Sequence, residues 1–170
     1  SYDTTHGIGD ALVIQVQFSE NVTVGGSPTL ELNLGTTRTA TYDSGNSSGN
    51  IVAFSYTIQA GDSTSDLDYV ATTSLNSTAG GGHIRDAAGN DVNETLAIPT
   101  MTGSLADGNA IVVDTGAPTV AQVYATESDG TTVKPDATYG AGEVIGIVVR
   151  FSENITVTGT PQITLNSSAT

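Results

Sequence analysis

The chain of 170 residues carries 18 Asp and Glu residues against 4 Lys and Arg residues, which gives a formal net charge of −14 at pH 7. A surface this acidic repels phosphate groups and anionic lipid headgroups, so nucleic acid and membranes are not expected partners. The chain contains no Cys, and this excludes a disulfide framework, a thiolate metal site and catalysis by a cysteine.

The first predicted elements are β-strands. Ser and Thr account for 43 of the 170 residues and Gly for 20, a composition typical of strands and turns rather than helices. Apolar and polar residues alternate along residues 12–18, 30–34 and 52–58, which predicts strands that bury one face and expose the other. About seven or eight such strands, separated by polar turns, predict a β-sandwich. Phe18, Phe54, Tyr56 and Phe151 lie at alternating strand positions and are expected in its core.

The acidic turns between these strands are candidate calcium sites. Ca²⁺ takes about six to eight oxygen ligands, which carboxylates, amides and turn carbonyls supply together. The turn at 86–91 offers Asp86, Asn90 and Asp91 around Gly89, which permits a tight turn. Further candidate ligands cluster at 62–68 or end a strand or domain: Asp62, Asp66, Asp68, Asp114, Glu20 and Glu153. We expect structural Ca²⁺ at one or more of these groups; the alternative is that they are solvated turn residues.

A domain boundary is predicted where an apolar strand ends in the turn Asp114-Thr115-Gly116-Ala117-Pro118. Pro118 has no backbone donor, which suits a linker or the start of a strand. The predicted domains are residues 1–114, which lack their first strand, and residues 115–170, which form the first half of the next domain. Both chain ends are expected to fall inside domains of a longer array.

An internal repeat supports this division. Residues 6–33 align without a gap to residues 139–166, at a constant offset of 133, and 14 of the 28 pairs are identical. Most of the remaining pairs are conservative, such as Asp10 with Glu143. A period this long indicates whole domains in tandem, because the units of a solenoid are far shorter.

Catalytic residues are scarce. The only histidines are His6, which the second copy replaces by Tyr139, and His83, which follows three glycines and is expected to be a solvated loop residue. Paired carboxylates are available for glycoside hydrolysis, but no aromatic platform for a sugar accompanies them. We therefore expect no enzyme activity.

Glycosylation is a further expectation. Six Asn-x-Ser/Thr sequons have the acceptor residues Asn21, Asn46, Asn76, Asn93, Asn154 and Asn166. Asn21 and Asn154 occupy equivalent positions of the repeat, just beyond a predicted strand. In a secreting eukaryote several of these residues should carry glycans, whereas in a bacterium the sequons should stay unmodified.

The combined motifs resemble a known repeat family. They include Phe18-Ser19-Glu20 and Asp86-Ala87-Ala88-Gly89-Asn90, and they lie at 7–10, 18–20, 24–32, 40–45, 54–62, 66–69, 84–90 and 113–118. The chain resembles the SWM repeat, a flagellar system-associated repeat of very large extracellular proteins, and the related bacterial Ig-like and cadherin-like repeats. The resemblance implies immunoglobulin-like antiparallel β-sandwich domains in tandem, secretion to the cell surface and no enzyme activity.

Two functions follow from this resemblance. In the first, the chain is a segment of a secreted filament or surface fibre, and its partners are copies of itself or flanking repeats. In the second, it is an adhesin that binds a surface or glycan partner through the loops at 45–50 or 78–83. Those loops contain no aromatic residue, so the first function is favoured.

Overall fold

The computed structural model describes residues 4–108 and 110–166. Its contacts divide the chain into a first unit, Ser1–Gly116, and a second unit, Ala117–Thr170. The strands of the first unit are β1 (Thr4–His6), β2 (Ala11–Gln17), β3 (Val22–Gly25), β4 (Thr29–Asn33), β5 (Thr37–Ser48), β6 (Ile51–Thr57), β7 (Ser63–Thr64), β8 (Asp68–Tyr69), β9 (Leu75–Asn76), β10 (His83–Asp86) and β11 (Ile111–Asp114). A short 3₁₀ turn, Ala79–Gly81, precedes β10.

The main sheet has the strand order β2-β6-β5-β4-β8, and β9 also pairs with β4. All of its strand pairs are antiparallel. Burial alternates along β2 as predicted. Leu12 and Ile14 are buried, whereas Val13 and Gln15 are exposed. This alternation places one face of the main sheet on the core.

Two smaller sheets complete the first unit. Strand β3 pairs with β10, and β11 pairs with β7, both in antiparallel orientation. Strand β1 pairs with β11 in parallel orientation, which departs from the expectation of an entirely antiparallel sandwich. The parallel pairing is possible because almost the whole unit separates β1 from β11 along the chain, so no tight hairpin constrains their directions.

One hydrophobic core joins these sheets. Its fully buried members include Leu30, Leu32 and Phe54 of the main sheet, Ile84 of β10 and Val113 of β11. The expectation that Phe54 is a core residue is confirmed. The chain is nearly all-β, and its arrangement of several antiparallel sheets is consistent with a β-sandwich. The described residues contain no helix that is both long enough and apolar enough to cross a membrane.

The second unit contains β12 (Val120–Thr126) and β13 (Gly146–Phe151), which form an antiparallel pair with a register shift between Val120 and Gln122. Strand β13 is the repeat equivalent of residues 13–18. The equivalents of β3 and β4 lie at 155–158 and 162–166 and form no strand in the described part of the chain. In the first unit β3 and β4 pair with β10 and β5.

Candidate functional site

The acidic turn at 86–91 is held by hydrogen bonds between its own residues. The Asn90 backbone N–H donates to Asp86 Oδ1 and Asn90 Nδ2 donates to Asp86 Oδ2, each at 2.8 Å. The side-chain hydrogen bond from Asn90, aided by backbone donors of the turn, lowers the pKa of Asp86. Gly89 has φ of 89°, a left-handed conformation that favours glycine.

The structure brings Glu20 to this turn. Glu20, Asp86, Asn90 and Asp91 line one groove of about 440 Å³, although Glu20 is more than sixty residues away in sequence. Within this groove Asp91 is already paired, because Arg85 Nε lies 2.6 Å from Asp91 Oδ1. These candidate ligands therefore lie together, and the turn is stabilised by its own hydrogen bonds and by the ion pair between Arg85 and Asp91.

Three of the four carboxylate oxygens of Asp86 and Asp91 are engaged by other protein groups in this structure. Both carboxylate oxygens of Asp86 bind Asn90, and one oxygen of Asp91 binds the positively charged Arg85. Across residues 4–108 and 110–166 no group of three or more His, Cys, Asp or Glu side chains is placed to hold a metal ion. Calcium binding remains a prediction.

The second predicted acidic cluster is dispersed over separate structural roles. Asp68 is buried and accepts the backbone N–H groups of Tyr69 and Thr100, each at 2.8 Å. Asp66 is exposed, and its backbone N–H donates to Thr64 Oγ1. Asp62 belongs to a buried network described below. The proximity of these residues in sequence does not make them one site.

Asp62 is the centre of a buried polar network. Its carboxylate accepts Arg38 Nε and the Tyr56 hydroxyl, each at 2.6 Å, and the Gln59 backbone N–H at 2.8 Å. Thr115 Oγ1 donates to the Asp62 carbonyl at 2.8 Å, which ties the end of the first unit to the network. Burial acts to raise the pKa of Asp62, but the hydrogen bonds from Tyr56, Gln59 and Arg38 outweigh it and lower the pKa.

This network was not predicted from the sequence, where Asp62 was expected to be a metal ligand or a solvated turn residue. A signal was present, because Tyr56 lies on the buried face of a predicted strand and a buried tyrosine hydroxyl needs a hydrogen-bond partner. Arg38 is one of only four basic residues in the chain. The network joins the neighbouring strands β5 and β6 of the main sheet to the turn after β6, so it stabilises this end of the sheet.

The remaining candidate ligands lie at exposed strand ends. Asp114 ends β11, and its Oδ1 accepts the Gly116 backbone N–H at 2.8 Å. Glu153 is exposed and follows β13 in the second unit. Neither residue belongs to the groove that holds Asp86 and Asp91 in the first unit.

The two histidines have structural contacts. His6 Nδ1 lies 3.6 Å from Asp10 Oδ2. The expectation that His83 is a solvated loop residue is wrong, because His83 is half-buried at the start of β10. Its ring covers Gly25, where an added Cβ would lie 2.3 Å from the ring. The pairing of β10 with β3, which places His83 opposite Gly25, explains the difference.

All six sequon asparagines are exposed. Asn21 and Asn154 follow β2 and β13, at corresponding positions of the two units. At Asn46 the side-chain nitrogen, the atom that would carry a glycan, donates to Asp43 Oδ2 at 2.7 Å. Exposure makes the six residues accessible to a transferase, and glycosylation itself stays a prediction.

A groove of about 470 Å³ opens beside β2. It is lined by the five consecutive residues Ile14–Phe18 and, across from them, by parts of the segment 93–105 that include Leu96 and Leu105. Successive residues of a strand point to opposite faces of the sheet. Because all five consecutive residues line the groove, the groove reaches the strand backbone as well as one face of the sheet. Ser104 also lines it, and its buried Oγ has no hydrogen-bond partner within the described residues.

Strand β2 lies at the end of the main sheet, and among the described residues it pairs only with β6. Its sequence ALVIQVQ contains no charged residue and no Pro, which are common means of protecting an open edge against another strand. In the second unit, the equivalent strand β13 is covered by β12.

Comparison of the chain with protein-family models, with curated proteins and with solved structures found no match.

Proposed function

We propose that the chain is a structural segment of a secreted filament or surface fibre, built from tandem immunoglobulin-like repeats of the SWM kind. The observation that carries this proposal is the internal repeat, in which residues 6–33 align with residues 139–166 and 14 of 28 pairs are identical. A repeat of this length favours similar domains in series, which is how a filament or fibre is built. The nearly all-β fold supports the same function.

The adhesin alternative has less support. Its proposed binding loops at 45–50 and 78–83 contain no aromatic side chain. The first of these is closed on itself, because Asp43 accepts the backbone N–H groups of Gly45 and Asn46. A small, polar, internally bonded loop suits a spacer better than a binding surface, where aromatic anchors are enriched.

Labelling of intact cells tests the proposed function. Antibodies raised against the recombinant chain, with gold detection by electron microscopy, should decorate fibres or a layer outside non-permeabilised cells of the source organism. Pre-absorption of the antibodies with the chain is the control and should remove the label. Label that appears only after permeabilisation would refute an extracellular structural role.

A further inference from the structure

We propose that the turn at 98–101 binds the same turn of a second copy of the chain. This inference deepens the proposed function and rests on it, because the contact would pair two fibres side by side. Three observations carry the proposal. Two large apolar side chains are exposed on this turn, the turn is held in a fixed conformation, and the segments around it carry no charge.

The exposed apolar side chains are those of Ile98 and Met101, which are 62% and 59% exposed. The Met101 N–H donates to the Ile98 carbonyl at 3.1 Å, so the two residues are the first and last of a β-turn. The Cα atoms of such residues lie within about 7 Å of each other. Single exposed apolar residues are common on protein surfaces, but an exposed pair on one turn is a candidate contact surface, and Met is enriched in interfaces.

The conformation of the turn is strained. Pro99 is its second residue and Thr100 its third, with a φ of 66°. Turns of type II favour Pro at the second position and require positive φ at the third, which is usually Gly. Among the residues that the structure describes, Thr100 is the only one other than glycine with positive φ. A β-branched residue adopts this conformation only where its surroundings impose it.

Hydrogen bonds to the first unit impose it. The buried carboxylate of Asp68 accepts the Thr100 N–H at 2.8 Å. On one side of the turn the Tyr69 hydroxyl donates to the Ala97 carbonyl at 2.8 Å, and on the other side the Ser104 N–H donates to the Met101 carbonyl at 2.9 Å. Asp68 and Tyr69 form β8, at the opposite edge of the main sheet from β2. A turn fixed in this way loses little conformational entropy when it binds.

The surroundings of the turn are uncharged. Residues 95–106 contain no Asp, Glu, Lys or Arg, and neither do residues 69–84, although 18 acidic and 4 basic residues occur in the chain. The two segments adjoin, because the Leu96 N–H donates to the Thr72 carbonyl at 2.9 Å and Tyr69 reaches Ala97. The apolar turn therefore lies in a neutral region of a strongly acidic protein.

This distribution of charge selects a second copy as the partner. Two copies that each carry a formal charge of −14 repel one another, and the repulsion is smallest where neutral regions meet. Contact between two such turns buries apolar surface without burying a carboxylate. A two-fold arrangement of identical surfaces closes on itself, so it pairs two fibres instead of lengthening one. Salt should strengthen the contact by screening the remaining charges.

Sedimentation equilibrium of the full chain, at several protein and salt concentrations, tests the proposal. The wild type should dimerise, and more strongly at higher salt. Ile98→Ser should weaken dimerisation by about tenfold or more, because the contact loses the side chain from both copies. Ile8→Ser is the matched control, since Ile8 is also 62% exposed but lies two residues from Asp10. The control should dimerise like the wild type.

Photo-crosslinking locates the contact. Met101 is the only Met of the chain, so photo-methionine incorporated in its place labels this position alone. Irradiation of a mixture of heavy-isotope-labelled and unlabelled copies should join residue 101 of one copy to the segment 95–106 of the other.

Three results would overturn the proposal. They are a wild-type chain that stays monomeric at millimolar concentration, equal weakening by Ile98→Ser and Ile8→Ser, and crosslinks from position 101 to other segments of the second copy. Cell labelling decides the proposed function separately, because fibres that contain the chain could form without this contact.

Discussion

Replacing Tyr56 by phenylalanine tests how much the buried network stabilises the first unit. The substitution keeps the ring in the core and removes only the hydroxyl that donates to Asp62 Oδ2 at 2.6 Å. A hydrogen bond to a charged acceptor contributes about 1.5–3 kcal/mol. Because Asp62 is fully buried, water cannot replace the lost donor. We expect the free energy of unfolding to fall by about 2 kcal/mol, which lowers the melting temperature by about 8 °C.

Urea unfolding followed by circular dichroism measures this loss. Tyr69→Phe is the matched control, because the Tyr69 hydroxyl donates to the neutral Ala97 carbonyl at 2.8 Å. A neutral hydrogen bond contributes about 1 kcal/mol, so the control should lose about half as much. Equal stability of the wild type and Tyr56→Phe at pH 7 would refute the assigned role of the network.

The pH dependence of the same pair gives an independent check. Burial, the hydrogen bond to Asp62 and its negative charge raise the pKa of Tyr56 to about 12, against about 10 in an unfolded chain. A raised folded-state pKa contributes stability that is present below the unfolded value and is lost as the pH rises through the folded one. The stability difference between wild type and Tyr56→Phe should therefore shrink between about pH 10 and pH 12. A difference that is unchanged at alkaline pH would contradict this account.

Gly26 has a φ of 68°, and a Cβ added there would lie 2.5 Å from the backbone of Gly82. The substitution Gly26→Ala should therefore lower the free energy of unfolding of the first unit by more than about 1 kcal/mol. Gly9→Ala is the control, because Gly9 also has positive φ but no atom within 4 Å of an added Cβ; equal losses would exclude a steric cause. Mass spectrometry of material from a eukaryotic source should find glycans on Asn21 and Asn154 together, and unmodified residues at both positions would contradict that expectation. Calcium binding at the turn 86–91 predicts a higher melting temperature in millimolar Ca²⁺ than in EDTA and loss of that difference in Asp86→Ala, whereas identical melting curves would leave the turn as a purely structural element.

Local alternation predicted the strands well, because burial of one sheet face imposes a period of two on the side chains. The stretches 12–18, 30–34 and 52–58 overlap β2, β4 and β6, each of which begins and ends one residue earlier. Residues 155–158 and 162–166 share the sequence pattern of β3 and β4 but form no strand. A strand needs a partner for its backbone groups, and pattern alone does not provide one.

The candidate site was harder to predict because its partners are distant in sequence. The turn 86–91 was recognisable as a loop of oxygen donors, but the salt bridge from Arg85 that occupies Asp91 depends on side-chain geometry. Asp62 looked like a ligand in an acidic stretch, whereas folding brings Arg38 from β5 onto it. From sequence alone, an acidic residue in a turn can be either a metal ligand or a member of a structural hydrogen-bond network. Only its tertiary contacts distinguish the two roles.

The parallel pairing of β1 with β11 has a mechanical consequence. Thr4 lies opposite Ile111 and His6 opposite Val113, so the segment that enters β1 and the segment that leaves β11 are at opposite ends of the pair. Tension along the chain would therefore act parallel to both strands and load their hydrogen bonds together in shear, instead of opening them one after another. The hydrogen bond from Thr115 to Asp62 anchors the exit segment to the core. In the fibre proposed above, such units would resist stretching until whole strand pairs slide apart.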